Sequence, residues 1–288
     1  MILSTLDKSR KGGAYEQIPS LVLGQRWTPQ LNSRNMMKVV LCVWIEPYIE
    51  NDLSFCVWPV HTPTTSKEVL TLSASTSPLP YTGNKSCIVN TILSVMPKHT
   101  VYIDPCMGSA EVFFRKPRAE KEILNDYNGD LVNLFRVIQN NEKLAYLLGR
   151  LYLSINGELA FKQNKDRLKG VPNILDDVIE TSQIFYDASW EDIQNAAAFL
   201  ENQVYSFSST GQTFGIARRD MSQRLPRLMS AYNRIRDAII LHRDYKDVIT
   251  YAACPGSFIL LDPPYKVTED MYSKANFDIE QHDILFSF

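Results

Sequence analysis

Residues 258–265 read Phe-Ile-Leu-Leu-Asp-Pro-Pro-Tyr, so four apolar residues lead directly into a carboxylate, two prolines and an aromatic ring. A short apolar run that ends in turn-forming residues is typical of a strand buried on both faces of a parallel sheet. The polar residues then lie at the carboxyl end of that strand. We expect them to form a rigid pocket for a planar ring that carries an amino group.

The amine of such a ring, for example N6 of adenine, is a poor nucleophile because its lone pair is conjugated with the ring. Asp262 can accept one N–H, and the carbonyl of Pro263, whose direction Pro264 restricts, can accept the other. Two acceptors pull the nitrogen toward a tetrahedral geometry, while Tyr265 can stack on the ring face. These four residues are therefore predicted to be catalytic. A plain strand-ending turn is the simpler alternative, but it does not require this order of acid, prolines and aromatic.

Apolar strands alternate with helical patterns along most of the chain. Four strands are predicted at residues 101–103, 122–125, 239–241 and 258–261, and helical patterns at 86–96, from 111 onward, 131–138, 141–203 and 225–235. This alternation predicts a mostly parallel α/β sheet with a helical insert of roughly a hundred residues between the second and third strands. Nearer the N-terminus, residues 39–44 and 55–60 can also form strands, and His61–Pro80, rich in Ser, Thr and Pro, reads as a linker.

Composition limits the classes of partner. The net charge is −2 and the pI about 6.1, so nucleic-acid binding requires a local basic patch. The five cysteines are scattered without zinc-ligand spacing, which favours a reduced, cytoplasmic setting and no metal site. No signal peptide is apparent, and the longest apolar run, residues 39–45, is too short to span a bilayer. We expect a soluble protein with no membrane partner.

Two features together suggest a cofactor that contains a nucleoside. Asp104–Ala110, which includes Gly108, follows a predicted strand and leads into a helix near Glu111, a geometry that lets a ligand approach the backbone. About twenty residues later Asp126 ends the next strand, where an acid can hydrogen-bond both hydroxyls of a ribose. Asp126 can instead cap the following helix, although Asn128 can fill that role.

Two shorter motifs are weaker when taken alone. Tyr81–Lys85 precedes the first helix, where Lys85 can place an ammonium near a carboxylate ligand, but it also reads as an ordinary helix start. Asp244 and Tyr245 follow the third strand, where doubly wound sheets contact ligands. A solvated turn is the simpler explanation for that pair.

A basic stretch lies in the predicted insert. Between Gly211 and Arg236 there are six arginines and one acid, Asp220, a local excess of five positive charges that suits a phosphate-binding surface. The predicted DNA-binding residues are Arg218, Arg219, Arg224 and Arg227. For Arg234 and Arg236 we expect a solvated helix face.

Together these residues resemble the Dam-like DNA adenine-N6 methyltransferases, in which the target-recognition insert precedes the catalytic tetrapeptide. The resemblance runs from about residue 78 to residue 288. Tyr81–Lys85 resembles the family's opening cofactor motif, and Asp104–Ala110 resembles its glycine-rich loop. Asp126 resembles the acid that binds the ribose, and Asp244–Tyr245 resembles the pair beside the cofactor's adenine. Asp262–Tyr265 resembles the catalytic motif. Cys106, Ala110 and Asn84 depart from the usual Phe, Gly and Gly.

The resemblance implies a Rossmann-like sheet that binds S-adenosylmethionine, with double-stranded DNA as the substrate and the target base flipped out of the duplex. A cognate restriction endonuclease would be a further partner, and the oligomeric state stays open. The implied cofactor-binding residues are Tyr81, Lys85, Asp104, Gly108, Asp126, Asp244, Tyr245 and Asp262. The implied divisions are a variable or poorly ordered extension (1–78), a cofactor-binding half (79–140), a helical target-recognition insert (141–236) and a catalytic part (237–288).

The family's sheet continues beyond the tetrapeptide, whereas only residues 266–288 remain here. We therefore expect a sheet truncated at the C-terminus, with strand 258–261 as an exposed edge and marginal stability. Alternatives to adenine methylation are transfer to N4 of cytosine, which the same tetrapeptide serves, transfer to a protein glutamine or to RNA, and an inactive remnant.

Overall fold

The computed structural model describes residues 76–176, 189–217 and 219–262, and the backbone of residues 38–41. In these residues five parallel strands form one sheet in the order β1-β5-β2-β3-β4. The strands are β1 (Lys38–Leu41), β2 (Val101–Asp104), β3 (Lys121–Asn125), β4 (Ile239–Leu241) and β5 (Ser257–Leu261). The predicted Rossmann-like α/β fold is confirmed.

Eight α-helices accompany these strands within the described part of the chain. They are α1 (Val89–Val95), α2 (Glu111–Arg115), α3 (Gly129–Gln139), α4 (Asn141–Tyr152), α5 (Glu158–Lys169), α6 (Trp190–Tyr205), α7 (Leu225–Ile235) and α8 (Tyr245–Ala252). Five of them, α3 to α7, lie between β3 and β4, and four of these, α4 to α7, fall in the region where the sequence predicts a helical insert. None of the described helices combines the length and the apolarity needed to cross a bilayer.

Alternating side chains of the strands build two apolar clusters, one on each face of the sheet. Tyr102 and Phe258 belong to the larger cluster, which also contains residues of α1 to α7. Ile103 and Ile259 belong to the smaller cluster with residues of α8. Both faces of β5 are thus covered, which explains why this strand is apolar throughout.

The strand order brings the polar ends of several strands together. The chain passes from β2 through β3 to β4 on one side of the sheet, whereas β5 lies on the other side of β2. The order therefore reverses between β2 and β5, and parallel sheets bind ligands at the carboxyl ends of strands beside such a reversal. Asp104, Asp126 and Asp262 all lie at this edge because each ends or directly follows a strand.

Two expectations about packing are wrong. Strand β5 is not an exposed edge, because β1 pairs with it in parallel from Lys38↔Phe258 to Leu41↔Leu261 and satisfies its backbone groups. Arg234 does not lie on a solvated helix face. It is buried, and its guanidinium donates to both carboxylate oxygens of Glu122 at 2.5 and 2.8 Å.

Candidate active site

The turn after β2 lies against the end of β3. The Met107 N–H donates to the carbonyl of Asn125 at 2.8 Å, and the Gly108 N–H donates to Oδ2 of Asp126 at 3.0 Å. Gly108 has a φ of +48°, a conformation that suits glycine, and Ala110 adopts a similar φ of 54° at the start of α2. The predicted glycine loop and the predicted ribose acid are thus joined by a hydrogen bond.

Asp126 is not the cap of the helix that follows it. The Asn128 side chain caps α3 by accepting the Asp130 N–H at 3.1 Å, while Oδ1 of Asp126 accepts the Asn128 N–H at 2.9 Å. Burial raises the pKa of Asp126 to about 6, although hydrogen bonds from the N–H groups of Asn128, Gly108 and Tyr127 act in the opposite direction. The carboxylate has about four lone-pair positions, and the three N–H groups leave one of them to accept a hydroxyl.

Tyr81 covers the glycine loop. Its ring would lie 3.7 Å from a Cβ placed on Gly108, and its hydroxyl accepts the side-chain amide of Asn128 at 3.2 Å. The ring also packs against Phe199 of α6 with the centroids 6.3 Å apart. The structure therefore brings Tyr81, Gly108 and Asp126 together in one place.

Lys85 lies against Asp262, the first residue of the predicted catalytic tetrapeptide. Its ammonium lies 2.5 Å from Oδ2 of Asp262 and donates to the carbonyl of Gly83 at 2.8 Å. The two charged side chains are 9% and 19% exposed, so their attraction is only weakly screened. The sequence suggested an ammonium near a carboxylate ligand, and the partner in the structure is the carboxylate of Asp262.

Asp104 is a buried acid at the floor of this site. One of its oxygens accepts the Tyr102 hydroxyl at 2.9 Å, and the other, Oδ1, has no hydrogen-bond partner among the described residues. Burial raises the pKa of Asp104 to about 8; the Tyr102 hydrogen bond opposes this rise, whereas the Asp262 and Asp126 carboxylates add to it. At neutral pH this side chain is largely protonated.

Cys106 lies among the acids of the site. Burial raises the pKa of its thiol, and the carboxylates of four residues raise it further: Asp126, Asp104, Asp262 and Asp244. The acids that the sequence assigned to separate motifs therefore share one electrostatic environment. Such a cluster of carboxylates favours a cationic ligand.

Asp244 and Tyr245 have clear structural roles. Asp244 caps α8 by accepting the Lys246 N–H at 2.9 Å, and Tyr245 is buried in the smaller apolar cluster. Asp244 still contributes to the field at Cys106. The structure thus assigns Tyr245 to packing, and its predicted contact with a cofactor stays a prediction.

The predicted DNA-binding arginines form a pocket of about 420 Å³. Its lining residues are Arg219, Asp220, Gln223, Arg224 and Arg227. Burial lowers the pKa of Arg224, and the positive charges of Arg227 and Arg219 lower it further. This crowding of like charges is relieved by an anion, so the pocket suits a phosphate group.

Four of the predicted site residues lie outside the described residues: Arg218, Pro263, Pro264 and Tyr265.

Asn125 is one residue of the site that sequence reasoning missed. It is fully buried, its amide donates to the carbonyls of Pro105 and Arg243 at 2.8 and 2.9 Å, and it accepts the Arg243 N–H at 2.8 Å. It therefore fastens the ends of β2, β3 and β4 to one another. A polar residue that ends an otherwise apolar strand is the signal that could have found it.

Comparisons with known proteins agree with this arrangement. A family model described as D12 class N6 adenine-specific DNA methyltransferase matches residues 81–288. The chain is 25% identical over 210 residues to the modification methylase StsI of Streptococcus sanguinis, covering 68% of this chain and 30% of that protein. It is 23% identical over 218 residues to the modification methylase LlaI of Lactococcus lactis subsp. lactis, covering 72% and 33%.

A third relative is the type II methyltransferase M1.LlaDCHI of Lactococcus lactis subsp. cremoris, 23% identical over 192 residues that make up 64% of each chain. The chain thus spans about a third of the first two relatives and less than two thirds of the third. The family model, by contrast, matches well over half of this chain. The predicted membership is confirmed, and the chain belongs to the family of D12 class N6 adenine-specific DNA methyltransferases.

Proposed function

We propose that this protein transfers a methyl group from S-adenosylmethionine to N6 of adenine in DNA. The observation that carries the proposal is the position of Asp262, which follows a strand buried on both faces and lies at the same edge as Asp104 and Asp126. The family's methyltransferase description supports the reaction class. The described residues supply a carboxylate acceptor for an amine and a separate set of groups for a nucleoside cofactor.

The site fits the cofactor in three respects. Asp126 keeps a lone pair for a ribose hydroxyl, and Gly108 lets a ligand approach its backbone. Oδ1 of Asp104, which has no hydrogen-bond partner within the described part of the chain, is available to a polar group of the ligand. When bound, S-adenosylmethionine supplies an electrophilic methyl group on a positively charged sulfonium. Asp126, Asp244 and Asp262 attract that charge, whereas the product after transfer is neutral at sulfur. The pocket should therefore prefer the donor over the product on electrostatic grounds.

The Lys85–Asp262 ion pair must open before Asp262 can bind a base amine through both of its oxygens. The ammonium occupies Oδ2 of Asp262, one of the two acceptor oxygens that an incoming base amine can use. Lys85 also has the Gly83 carbonyl as a partner, so it can turn from Asp262 without losing every contact. We infer that Lys85 keeps Asp262 ionised until the flipped base arrives. Asp262 then accepts an N–H of the amine and orients its lone pair.

DNA is the substrate that the arginine pocket supports. Arg219, Arg224 and Arg227 concentrate positive charge in a chain whose net charge is −2. Phosphate contacts of this kind fix the register of a protein on DNA without reading its sequence. Because the relatives are named as modification methylases, we further propose a cytoplasmic restriction–modification role beside a cognate endonuclease.

The test is methyl transfer from labelled S-adenosylmethionine to unmethylated DNA, followed by digestion to nucleosides and mass spectrometry. We expect N6-methyladenine, and we expect Asp262→Ala to lower the rate by about 10²- to 10³-fold because it removes a positioned polar group. Asp166→Ala is the matched control, since Asp166 is 57% exposed and pairs with Lys169 on the same helix.

Several outcomes would contradict the proposal. Full activity of Asp262→Ala would show that Asp262 is not needed for catalysis. N4-methylcytosine as the only product would favour the cytosine alternative, and label on RNA or protein but not on DNA would change the substrate class. A wild-type chain that binds S-adenosylmethionine and forms no product would establish an inactive remnant.

A further inference from the structure

The segment 171–176, which follows α5, lies beside the carboxyl ends of β3 and β4. Asp176 anchors it there: its N–H donates to the His242 carbonyl at 2.9 Å, and its carboxylate accepts the His242 N–H at 3.0 Å. The same carboxylate pairs with Arg136 of α3 at 2.7 Å. Residues 171–176, which belong to the predicted target-recognition insert, are thereby fixed beside the ends of β3 and β4.

Asn173 brackets the turn that follows Asp126. Its side-chain nitrogen donates to the carbonyl of Tyr127 at 2.9 Å, and its side-chain oxygen accepts the N–H of Gly129 at 2.8 Å. The two partners lie on either side of Asn128, the cap of α3. One side-chain amide therefore holds both ends of the Tyr127–Gly129 turn.

His242 completes the same network. Its Nε2 lies 3.1 Å from the Tyr127 carbonyl and 3.2 Å from Oδ1 of Asn173. Both neighbours are acceptors, so Nε2 must carry a hydrogen. Burial lowers the pKa of His242 below its usual value, while hydrogen bonds to the backbone of Tyr127 and Ile174 and the negative charge of Asp176 oppose the effect. The ring thus acts as a neutral donor that ties the turn to Asn173.

Asn173 and His242 pack so closely against the turn that there is no room for a side chain at Gly129. A Cβ at Gly129 would lie 2.7 Å from Oδ1 of Asn173 and 2.9 Å from Cε1 of His242. Gly129 does not adopt a positive φ, so the glycine provides space there and not backbone freedom. No other residue type lets Asn173 and His242 approach the turn so closely.

We propose that Asn173 and His242 are positioning residues for the cofactor, so that residues 171–176 of the insert help to set cofactor affinity. They hold the Tyr127–Gly129 turn, and that turn donates N–H groups to Asp126. The inference rests on the proposed function only in taking Asp126 as the group that binds the cofactor's ribose. An insert that holds the turn after Asp126 in this way couples cofactor binding to target recognition, and such coupling is reciprocal.

The experiment compares Asn173→Ala with a matched control, Asn133→Ala. Asn133 also joins α3 to the insert, because its side-chain amide donates at 2.8 Å to the Asp192 carbonyl, a partner that lies outside the Tyr127–Gly129 turn. Asn173→Ala removes two hydrogen bonds from the turn. Calorimetric titration of the full chain with S-adenosylmethionine should show about tenfold weaker binding for this variant, a loss comparable to the net free energy of one hydrogen bond. Asn133→Ala should bind like the wild type.

Further readouts separate positioning from general destabilisation. We expect Asn173→Ala to raise KM for S-adenosylmethionine while kcat is retained, because Asp262 is untouched. Amide exchange in residues 105–110 and 126–129 should be faster in Asn173→Ala only. Asn173→Asp keeps the acceptor for the Gly129 N–H and should have intermediate affinity; it carries the test if the alanine variant does not fold.

The two failures are distinguishable. If the wild-type chain does not bind S-adenosylmethionine, the proposed function fails, and the exchange measurement still decides whether Asn173 holds the turn. If the wild type binds and Asn173→Ala binds equally well, the positioning role is wrong. Equal losses in Asn173→Ala and Asn133→Ala would also overturn it.

Discussion

Asp126 should make cofactor affinity depend on pH just below neutrality. Burial raises its pKa from 3.8 to about 6, and only the ionised form offers a charged acceptor to a ribose hydroxyl. The affinity for S-adenosylmethionine should therefore be constant near pH 7 and fall toward pH 5, by up to about tenfold per unit if the protonated form does not bind. Asp126→Asn should weaken binding at pH 7 by about 10- to 100-fold, since it removes a charge-assisted hydrogen bond.

The same shift predicts the opposite effect on the stability of the free protein. In the unfolded chain Asp126 ionises near 3.8, whereas the folded chain holds its proton to about 6, so folding is favoured at low pH and this stability is lost between those values. At pH 7 the penalty is about 3 kcal/mol. Asp126→Asn removes it but turns an amide toward an N–H donor, which costs about 1–2 kcal/mol. The variant should be about 1 kcal/mol more stable.

The assays are calorimetric titration with S-adenosylmethionine from pH 5 to 8 and urea unfolding at pH 7, each on the wild type and Asp126→Asn. Asp104 titrates near 8 in the same pocket, so Asp104→Asn is needed to separate its contribution at the upper end of the range. Binding by the wild type that does not change between pH 5 and 7, or an Asp126→Asn variant that binds normally, would refute the reasoning.

Two further predictions concern stability and are measured by urea unfolding. Glu122→Gln should cost about 3–5 kcal/mol, because it leaves the buried charges of Lys116 and Arg234 without their carboxylate; a cost below about 1 kcal/mol would contradict this. Ala110→Gly should be neutral or stabilising by up to about 1 kcal/mol, since relief of the left-handed φ of 54° outweighs the lost methyl. The matched Ala198→Gly, in the interior of α6, should instead cost about 1.5–2 kcal/mol, and equal effects of the two glycines would be inconsistent with strain at Ala110.

The parts of the site that the sequence predicted are those whose geometry follows from local pattern. Asp104, Asp126 and Asp262 each lie at or just past the end of an apolar run, and parallel strands present such residues at a common edge. The role of Asn128 as the helix cap also follows from local sequence. These inferences needed no knowledge of which strands are neighbours.

The parts that could not be predicted depend on contacts between distant residues. Asn125 and Arg243 are separated by 118 positions, and Arg234 and Glu122 by 112. A charged residue in a helical pattern gives the same local sequence whether its partner is water or a buried glutamate. The sequence around Arg234 therefore does not indicate that this side chain is buried. The pairing of β1 with β5 is hidden for the same reason, because a short apolar run does not specify its neighbour in the sheet.

The apolar core extends across the predicted boundary at residue 140 between the cofactor-binding half and the insert. The large apolar cluster contains residues from both sides of it, so the cofactor-binding half and the insert share one core. Tyr81 packs on Phe199 of α6, and Asn173 holds the turn after Asp126. Two contacts from the predicted insert therefore reach the loops that are predicted to bind the cofactor. If DNA shifts α6 or residues 171–176, the displacement acts on Tyr81 and Asp126 without any intervening hinge, because a packed core transmits strain.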